Sequence, residues 1–208
     1  MNRKEAVFEA TASLGAVGID DAAFEAELLL GLALEISRLE IYTEPEALLA
    51  APKLAKYRKL CSRRAVGEPY AYIAGYKEFF GLEFLVDPRV LIPRPETEML
   101  VGAALDICRV RPESVVADIG TGSGAIAVSM AVNQPDIMIY ATDASPDALA
   151  VARRNCQRHG VLGRVILLQG DLLAPLPQKA DMILTNLPYV KTAELAAADL
   201  VREPRLAL

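Results

Sequence analysis

The sequence predicts an α/β fold: a doubly wound parallel sheet preceded by a small all-α domain and a β-hairpin linker. Three observations carry that prediction. From residue 114 onward, short apolar runs alternate with helical segments, as buried parallel strands and their crossover helices do. A glycine-rich loop, Asp118-Ile119-Gly120-Thr121-Gly122-Ser123-Gly124, follows the first of those runs. Residues 3 to 75, by contrast, carry only helical periodicity.

In chain order, Ala6, Val7, Ala10 and Leu14 recur at helical spacing until Gly15 and Gly18 break the pattern. Asp20 or Asp21 is placed to cap a second helix with Phe24, Leu28, Leu29 and Leu32 on its apolar side. Ser37 caps a short third helix, and Pro45 fits the first turn of the next. Lys53, Lys56, Arg58, Lys59, Arg63 and Arg64 make the following stretch basic, whereas residues 1–50 hold three Lys/Arg against ten Asp/Glu. Such polarity reads either as a solvated helix face or as a docking face for an acidic or RNA-containing partner.

Residues 76–92 change character. Phe79, Phe80, Phe84, Leu85, Val86, Val90, Leu91 and Ile92 surround Gly81 and Asp87-Pro88, the pattern of a hairpin. Pro93-Arg94-Pro95 stops it, and a helix runs from Glu96 to about residue 109. Four strand-like runs follow, at 115–119, 137–141, 165–168 and 182–185, with helices at 125–132 and 146–159. The domains expected are therefore 1–75, helical; 76–95, the hairpin linker; and 96–208, the sheet domain.

Composition sets limits. At 208 residues, 53% hydrophobic and 24% charged, the chain suits a soluble protein with one good core or two unequal ones. A net charge of -5 disfavours general nucleic-acid binding. Cys61, Cys108 and Cys156 lack metal-ligand spacing and read as reduced, mostly buried thiols of a cytoplasmic protein. His159 is the one histidine, which argues against a His-based triad or a multi-His metal site; it reads as a solvated helix end before Gly160. The apolar run at 28–34 is too short to span a bilayer, and the N-terminus has no secretory signal.

The chemistry-bearing residues lie at the ends of the predicted strands. Gly120, Gly122 and Gly124 permit a tight turn and close approach of a ligand at a helix N-terminus. Gly120, Gly122 and Ala125 also satisfy the dinucleotide fingerprint. Asp143 follows about 20 residues on, placed to hydrogen-bond ribose hydroxyls. NAD and S-adenosylmethionine both carry an adenosine ribose, so Asp143 does not separate them. Asp171 and Leu172 follow the third strand, suited to an adenine amino group and ring face. Asn186-Leu187-Pro188-Tyr189 closes the fourth. There an amide oxygen and the next backbone carbonyl can take the two N–H groups of a planar amine, with Tyr189 against its face. Hydride transfer needs no such grip, whereas methyl transfer to a weakly nucleophilic amide or aromatic amine does.

These residues resemble the release-factor glutamine methyltransferase family (HemK or PrmC). The likeness extends to Glu68-Pro69, Tyr72-Ile73, Gly75, Phe79, Gly81 and the specific run Val90-Leu91-Ile92-Pro93-Arg94-Pro95-Glu96-Thr97-Glu98. It implies a Rossmann-like class I methyltransferase sheet, here incomplete at the C-terminus, since Arg202-Glu203-Pro204-Arg205-Leu206-Ala207-Leu208 is similar to an internal family segment. The chain is accordingly expected to be a piece of a longer one, truncated after its fourth strand. The activity implied is methylation of the side-chain amide nitrogen (N5) of the glutamine in the Gly-Gly-Gln motif of peptide chain release factors, in translation termination, with S-adenosyl-L-methionine as donor. By the same resemblance Gly120, Thr121, Gly122, Ser123 and Gly124 wrap the methionine part. Asp143 holds the ribose, Asp171 and Leu172 flank the adenine, and Asn186 to Tyr189 hold the glutamine amide, with Asn186 and Tyr189 at the reacting centre. The helical domain docks the release factor, and the protein works as a monomer without membrane or direct nucleic-acid contact.

One departure is plain: Leu187 stands where the family usually has proline, so a fixed φ is lost but the backbone carbonyl is kept. Asn-Leu-Pro-Tyr also resembles the motif of ribosomal RNA adenine dimethyltransferases. Adenine-N6 methylation of RNA or DNA is therefore the rival activity, followed by a binding module without catalysis and, more distantly, an NAD enzyme.

Overall fold

The computed structural model describes residues 1–111, 114–187 and 202–204. It divides into two compact units, Met1–Ala74 and Gly75–Leu208. Pro188 and Tyr189, expected to hold the amide, lie outside the described residues.

The first unit is helical: α1 (Arg3–Ala16), α2 (Ala22–Leu34), α3 (Arg38–Thr43), α4 (Ala51–Ala65) and α5 (Tyr70–Ala74). Capping boxes start two of these helices, Asn2 with Glu5 on α1 and Ser37 with Glu40 on α3. Each satisfies backbone donors that a helix start leaves without partners. Ala6, Ala10 and Leu14 of α1 pack with Ala26, Leu29 and Leu30 of α2 and Tyr57 and Leu60 of α4. Tyr57 is buried, and its hydroxyl donates to the Ala26 carbonyl at 3.1 Å.

Two sequence expectations fail in this unit. The buried stripe of α2 is Ala22, Ala26, Leu29, Leu30 and Ala33, while Phe24 is 39% exposed. Small residues allow close approach of α1, and Phe24 instead lies under the Arg38 guanidinium, 4.4 Å from its ring centre. Pro45 sits in a turn, and Pro52 occupies the first turn of α4.

The basic stretch of α4 is largely neutralised within its own unit. Lys53 and Lys56 pair with Glu35, Arg58 with Glu9, Arg63 with Glu68 and Arg64 with Glu25.

The second unit opens with the hairpin β1 (Tyr76–Phe79) and β2 (Leu82–Leu85), paired antiparallel. Its two-residue loop, Phe80-Gly81, has positive φ at both positions, 52° and 71°. That turn matches the twist of the strands it joins. Helix α6 (Glu96–Val110) precedes β3 (Val115–Ile119), α7 (Ala125–Asn133), β4 (Met138–Asp143), α8 (Pro146–Arg158), β5 (Val165–Gln169) and β6 (Met182–Thr185). Among the described residues the sheet has four strands, all parallel, in the order β5-β4-β3-β6. The α/β class with a parallel sheet is thus as expected.

Register decides where the strands end. Ile119 lies beside Thr142 on one side and Thr185 on the other, and Asp143 lies beside Gln169. The carboxyl ends are therefore level. From β3 the chain winds outward through β4 and β5, then returns to the other side of β3 as β6. Such a reversal opens a crevice at the carboxyl ends of the strands flanking it. Beneath it, Val116, Ile139, Val128, Met130, Val101 and Phe84 share one core.

Two polar residues tie the hairpin to α8 and to the loop after β3. Asn155 of α8 is fully buried; it accepts the Leu85 N–H (2.8 Å) and donates to the carbonyls of Leu85 (3.0 Å) and Ser123 (2.8 Å). His159, expected to be solvated, is half-buried. Its ring packs on Phe84, 5.3 Å between centres, and Nε2 bonds the Glu83 carbonyl at 2.9 Å. The hairpin, distant in sequence, covers that helix end.

The thiols of Cys61, Cys108 and Cys156 are free, the last two buried. Burial pushes the Cys61 and Cys156 thiols up to about 11, so both stay protonated at neutral pH. Among the described residues no cluster suits a metal ion, and no helix is long and apolar enough to cross a membrane.

Candidate active site

The crevice at the carboxyl ends of β3, β4 and β6 holds a cavity of about 230 Å³. Its floor is Ile119, Gly120 and Gly122 from the β3 loop, with Thr142 and Asp143 from β4. Gly170, Asp171 and Leu172 close one side, and Asn186 and Leu187 the other. Residues 89–91 and Pro204 complete the rim. A smaller cavity of about 50 Å³ adjoins it, sharing Leu91, Gly120, Gly122 and Asn186 and adding Arg94, Thr97, Thr121 and Ser123.

The glycine loop is shaped by its backbone. Gly120 has φ 71°, and a Cβ built there would lie 3.3 Å from Leu187 Cδ2, in the space between β3 and β6. Gly124, the N-cap of α7, has φ 81°, and its Cβ would stand 3.2 Å from that of Ala152. Both positions favour a residue without a side chain.

Two carboxylates hold the loop. Thr121 Oγ1 (2.6 Å) and Ala127 N (3.1 Å) both donate to Oδ2 of buried Asp118, while Oδ1 has no partner among the described residues. Burial pushes Asp118 up to about 6 against those two hydrogen bonds, with the Asp143 charge adding to the rise. Asp143 accepts Gly122 N–H on Oδ2 and Ser145 N–H on Oδ1, each at 2.9 Å. Each of its oxygens keeps a further lone pair.

The sequence-derived candidates divide. Gly120, Gly122, Asp143, Asp171, Leu172, Asn186 and Leu187 all line the larger cavity. Thr121 and Ser123 face the smaller one, and Gly124 lines neither, serving the start of α7 instead. Leu172 adopts φ 46°, and its carbonyl accepts the Thr142 hydroxyl at 2.9 Å. Asn186 Nδ2 donates to Thr97 Oγ1 at 3.3 Å. Thr97, Arg94, Val90, Leu91 and Ala148 were not among the candidates. The first four lie in the proline-rich stretch, whose sequence signals a turn without saying what the turn touches.

The cavity suits an adenosyl group carrying an amino-acid tail. A carboxylate pre-set by two backbone donors stands over the β4 end, Leu91, Leu172 and Ala148 offer apolar surface, and the space over Gly120 is one that a Cβ would fill.

Comparison with known proteins follows this division. Residues 5–75 match the family model described as the PrmC N-terminal domain, and residues 97–208 match the methyltransferase small domain. A release factor glutamine methyltransferase of Moorella thermoacetica is 44% identical over 211 residues, covering 100% of this chain and 75% of its own. That of Geobacter sulfurreducens is 45% identical over 195 residues, covering 92% of this chain and 67% of its own. A solved RNA methyltransferase from Salinibacter ruber, in complex with S-adenosyl-L-homocysteine, aligns at 26% identity and TM-score 0.40, covering 45% of this chain and 60% of its own.

Proposed function

The chain belongs to the release factor glutamine methyltransferase family and is an S-adenosylmethionine-dependent enzyme; on that premise we propose that it methylates the side-chain amide nitrogen of the glutamine in the Gly-Gly-Gln motif of peptide chain release factors. The observation that carries this reading is the position of Asn186, at the end of β6, lining the same cavity as Gly120 and Asp143. One wall offers a grip for a planar nitrogen; the floor offers a place for the donor.

The roles follow from the residues. Gly120 and Gly122 let a ligand lie against bare backbone. Asp143 accepts from ribose hydroxyls with its remaining lone pairs, and Asp171 and Leu172 flank the base. Bound S-adenosylmethionine supplies an electrophilic methyl on a sulfonium sulfur. Asn186 Oδ1 and the Leu187 carbonyl accept the two N–H hydrogens of the substrate amide. That grip turns the nitrogen lone pair toward the methyl carbon and favours the positive charge gathering on nitrogen as the C–S bond breaks. The surplus proton then leaves to water. Pro188 and Tyr189 are assigned the remaining contacts to the amide from the motif.

We assign residues 1–75 to substrate docking, 76–95 to a hairpin linker and 96–208 to the methyltransferase domain. Nucleic acid is the less favoured substrate, because Lys53, Lys56, Arg58, Arg63 and Arg64 are paired with carboxylates of their own unit. Phosphate binding would have to break those pairs.

The test is transfer of labelled methyl to a release factor, beside a variant of that factor in which the Gly-Gly-Gln glutamine is replaced. Label confined to the intact motif supports the reading. Equal labelling of both factors, or preferential labelling of RNA, rejects it.

A further inference from the structure

The stretch Pro93-Arg94-Pro95-Glu96-Thr97-Glu98 has no part in the mechanism above, yet three of its residues each hold a different element. Glu98 Oε1 accepts the N–H of Phe80 at the hairpin turn, 2.9 Å away. Arg94 pairs with buried Glu203 at 2.5 Å. Thr97 Oγ1 accepts Asn186 Nδ2 at 3.3 Å. Thr97 is itself fixed in the first turn of α6, where its N–H bonds the Arg94 carbonyl at 3.1 Å.

The third contact bears on chemistry. A primary carboxamide has one donor end and one acceptor end, and a rotation of 180° exchanges them. Only the acceptor end can take an N–H from a substrate amide. With Nδ2 on Thr97, the Asn186 oxygen is the end left over. Asn186 is half-buried and lines both cavities, so its orientation is not set by core packing.

We infer that Thr97 is a positioning residue for methyl transfer: by taking the Asn186 amide N–H, it presents Asn186 Oδ1 to the nitrogen that receives the methyl group. This rests on the reading of Asn186 as the substrate-amide grip. Arg94 and Glu98 hold the segment that carries Thr97, which accounts for three polar residues standing close together at the Pro93–Pro95 turn and the start of α6.

Two variants test it, Thr97→Val, which keeps the shape without the hydroxyl, and Thr97→Ser, which keeps the hydroxyl. The first readout is the Asn186 side-chain amide resonance pair, assigned by its loss in Asn186→Ala. It should shift in Thr97→Val and stay near its original position in Thr97→Ser. The second is steady-state methyl transfer. Thr97→Val should lower kcat about tenfold and leave KM for S-adenosylmethionine within about twofold, the loss of one hydrogen bond felt at the transition state. Thr97→Ser should recover to within about threefold, and Thr97→Val combined with Asn186→Ala should be no slower than Asn186→Ala alone.

An unmoved amide resonance in Thr97→Val overturns the inference whatever the turnover. So does a Thr97→Val enzyme with unchanged kcat and weakened cofactor binding, which would make Thr97 a cofactor contact. A Thr97→Ser enzyme as slow as Thr97→Val would assign the effect to packing and overturn it as well. Failure of the substrate reading is separate: there the label reaches another acceptor, while the contrast between the two Thr97 variants is still measured on that acceptor.

Discussion

Asp143 Oδ2 accepts the backbone N–H of Gly122 at 2.9 Å, so the carboxylate at the end of β4 is also the clamp on the loop after β3. Its other oxygen takes the Ser145 N–H at the start of α8. One side chain thus shapes the cavity floor and faces the space above it. Asp143→Ala should weaken S-adenosylmethionine binding by about 2–4 kcal/mol, since a charged acceptor and the loop it holds are lost together. Asp143→Asn, which keeps one acceptor, should fall between. Titration calorimetry reads both; equal affinity in wild type and Asp143→Ala would remove Asp143 from the site.

Asp118 makes stability depend on pH. Burial raises it from 3.8 to about 6 in the folded chain. Because the folded value is the higher, its contribution to stability is fully present below pH 3.8 and is lost as pH rises through about 6. The swing is up to about 3 kcal/mol. Asp118→Asn removes it while keeping an oxygen for Thr121 and Ala127. Unfolding free energy of the variant, minus that of wild type, should therefore rise between about pH 4 and about pH 7. A difference that stays level across that range contradicts the raised pKa.

Asn155 is the polar knot behind the loop. Replacing it with alanine leaves the Leu85 N–H and the carbonyls of Leu85 and Ser123 without their partner. The expected loss is about 3 kcal/mol or more, as each buried group left unpaired carries its desolvation cost. Urea unfolding measures it. A loss under about 1 kcal/mol would mean that water replaces the side chain.

Asn186→Ala should keep S-adenosylmethionine binding nearly intact while turnover falls about tenfold to a hundredfold, the effect of about 1–3 kcal/mol from one acceptor at a desolvated centre. Single-turnover rates beside calorimetric affinities separate the two effects. Lost cofactor binding with normal chemistry would reassign the residue.

Much of this was readable from local pattern. Strands β3 to β6 are mostly apolar runs, and α8 carries its own Ser145 cap and an apolar stripe, so local chemistry and final fold agree there. Gly120, Gly122, Asp143, Asp171, Leu172 and Asn186 were legible because a strand end is a fixed address in a parallel sheet. Phe24 and His159 were misread because their surroundings come from elsewhere in the chain, Arg38 for one and the β2 strand for the other.

The sequence by itself determined the fold class, the strand ends and the residue types that stand at them. Only the tertiary structure decided that Asp118 lies buried, that Asn155 ties hairpin to loop and that Thr97 meets Asn186 across 89 positions of chain. The physical reason is one of range. Periodicity, capping and turn chemistry act over a few neighbouring residues, whereas desolvation and the partner of a side-chain amide are set by whatever the folded chain brings alongside.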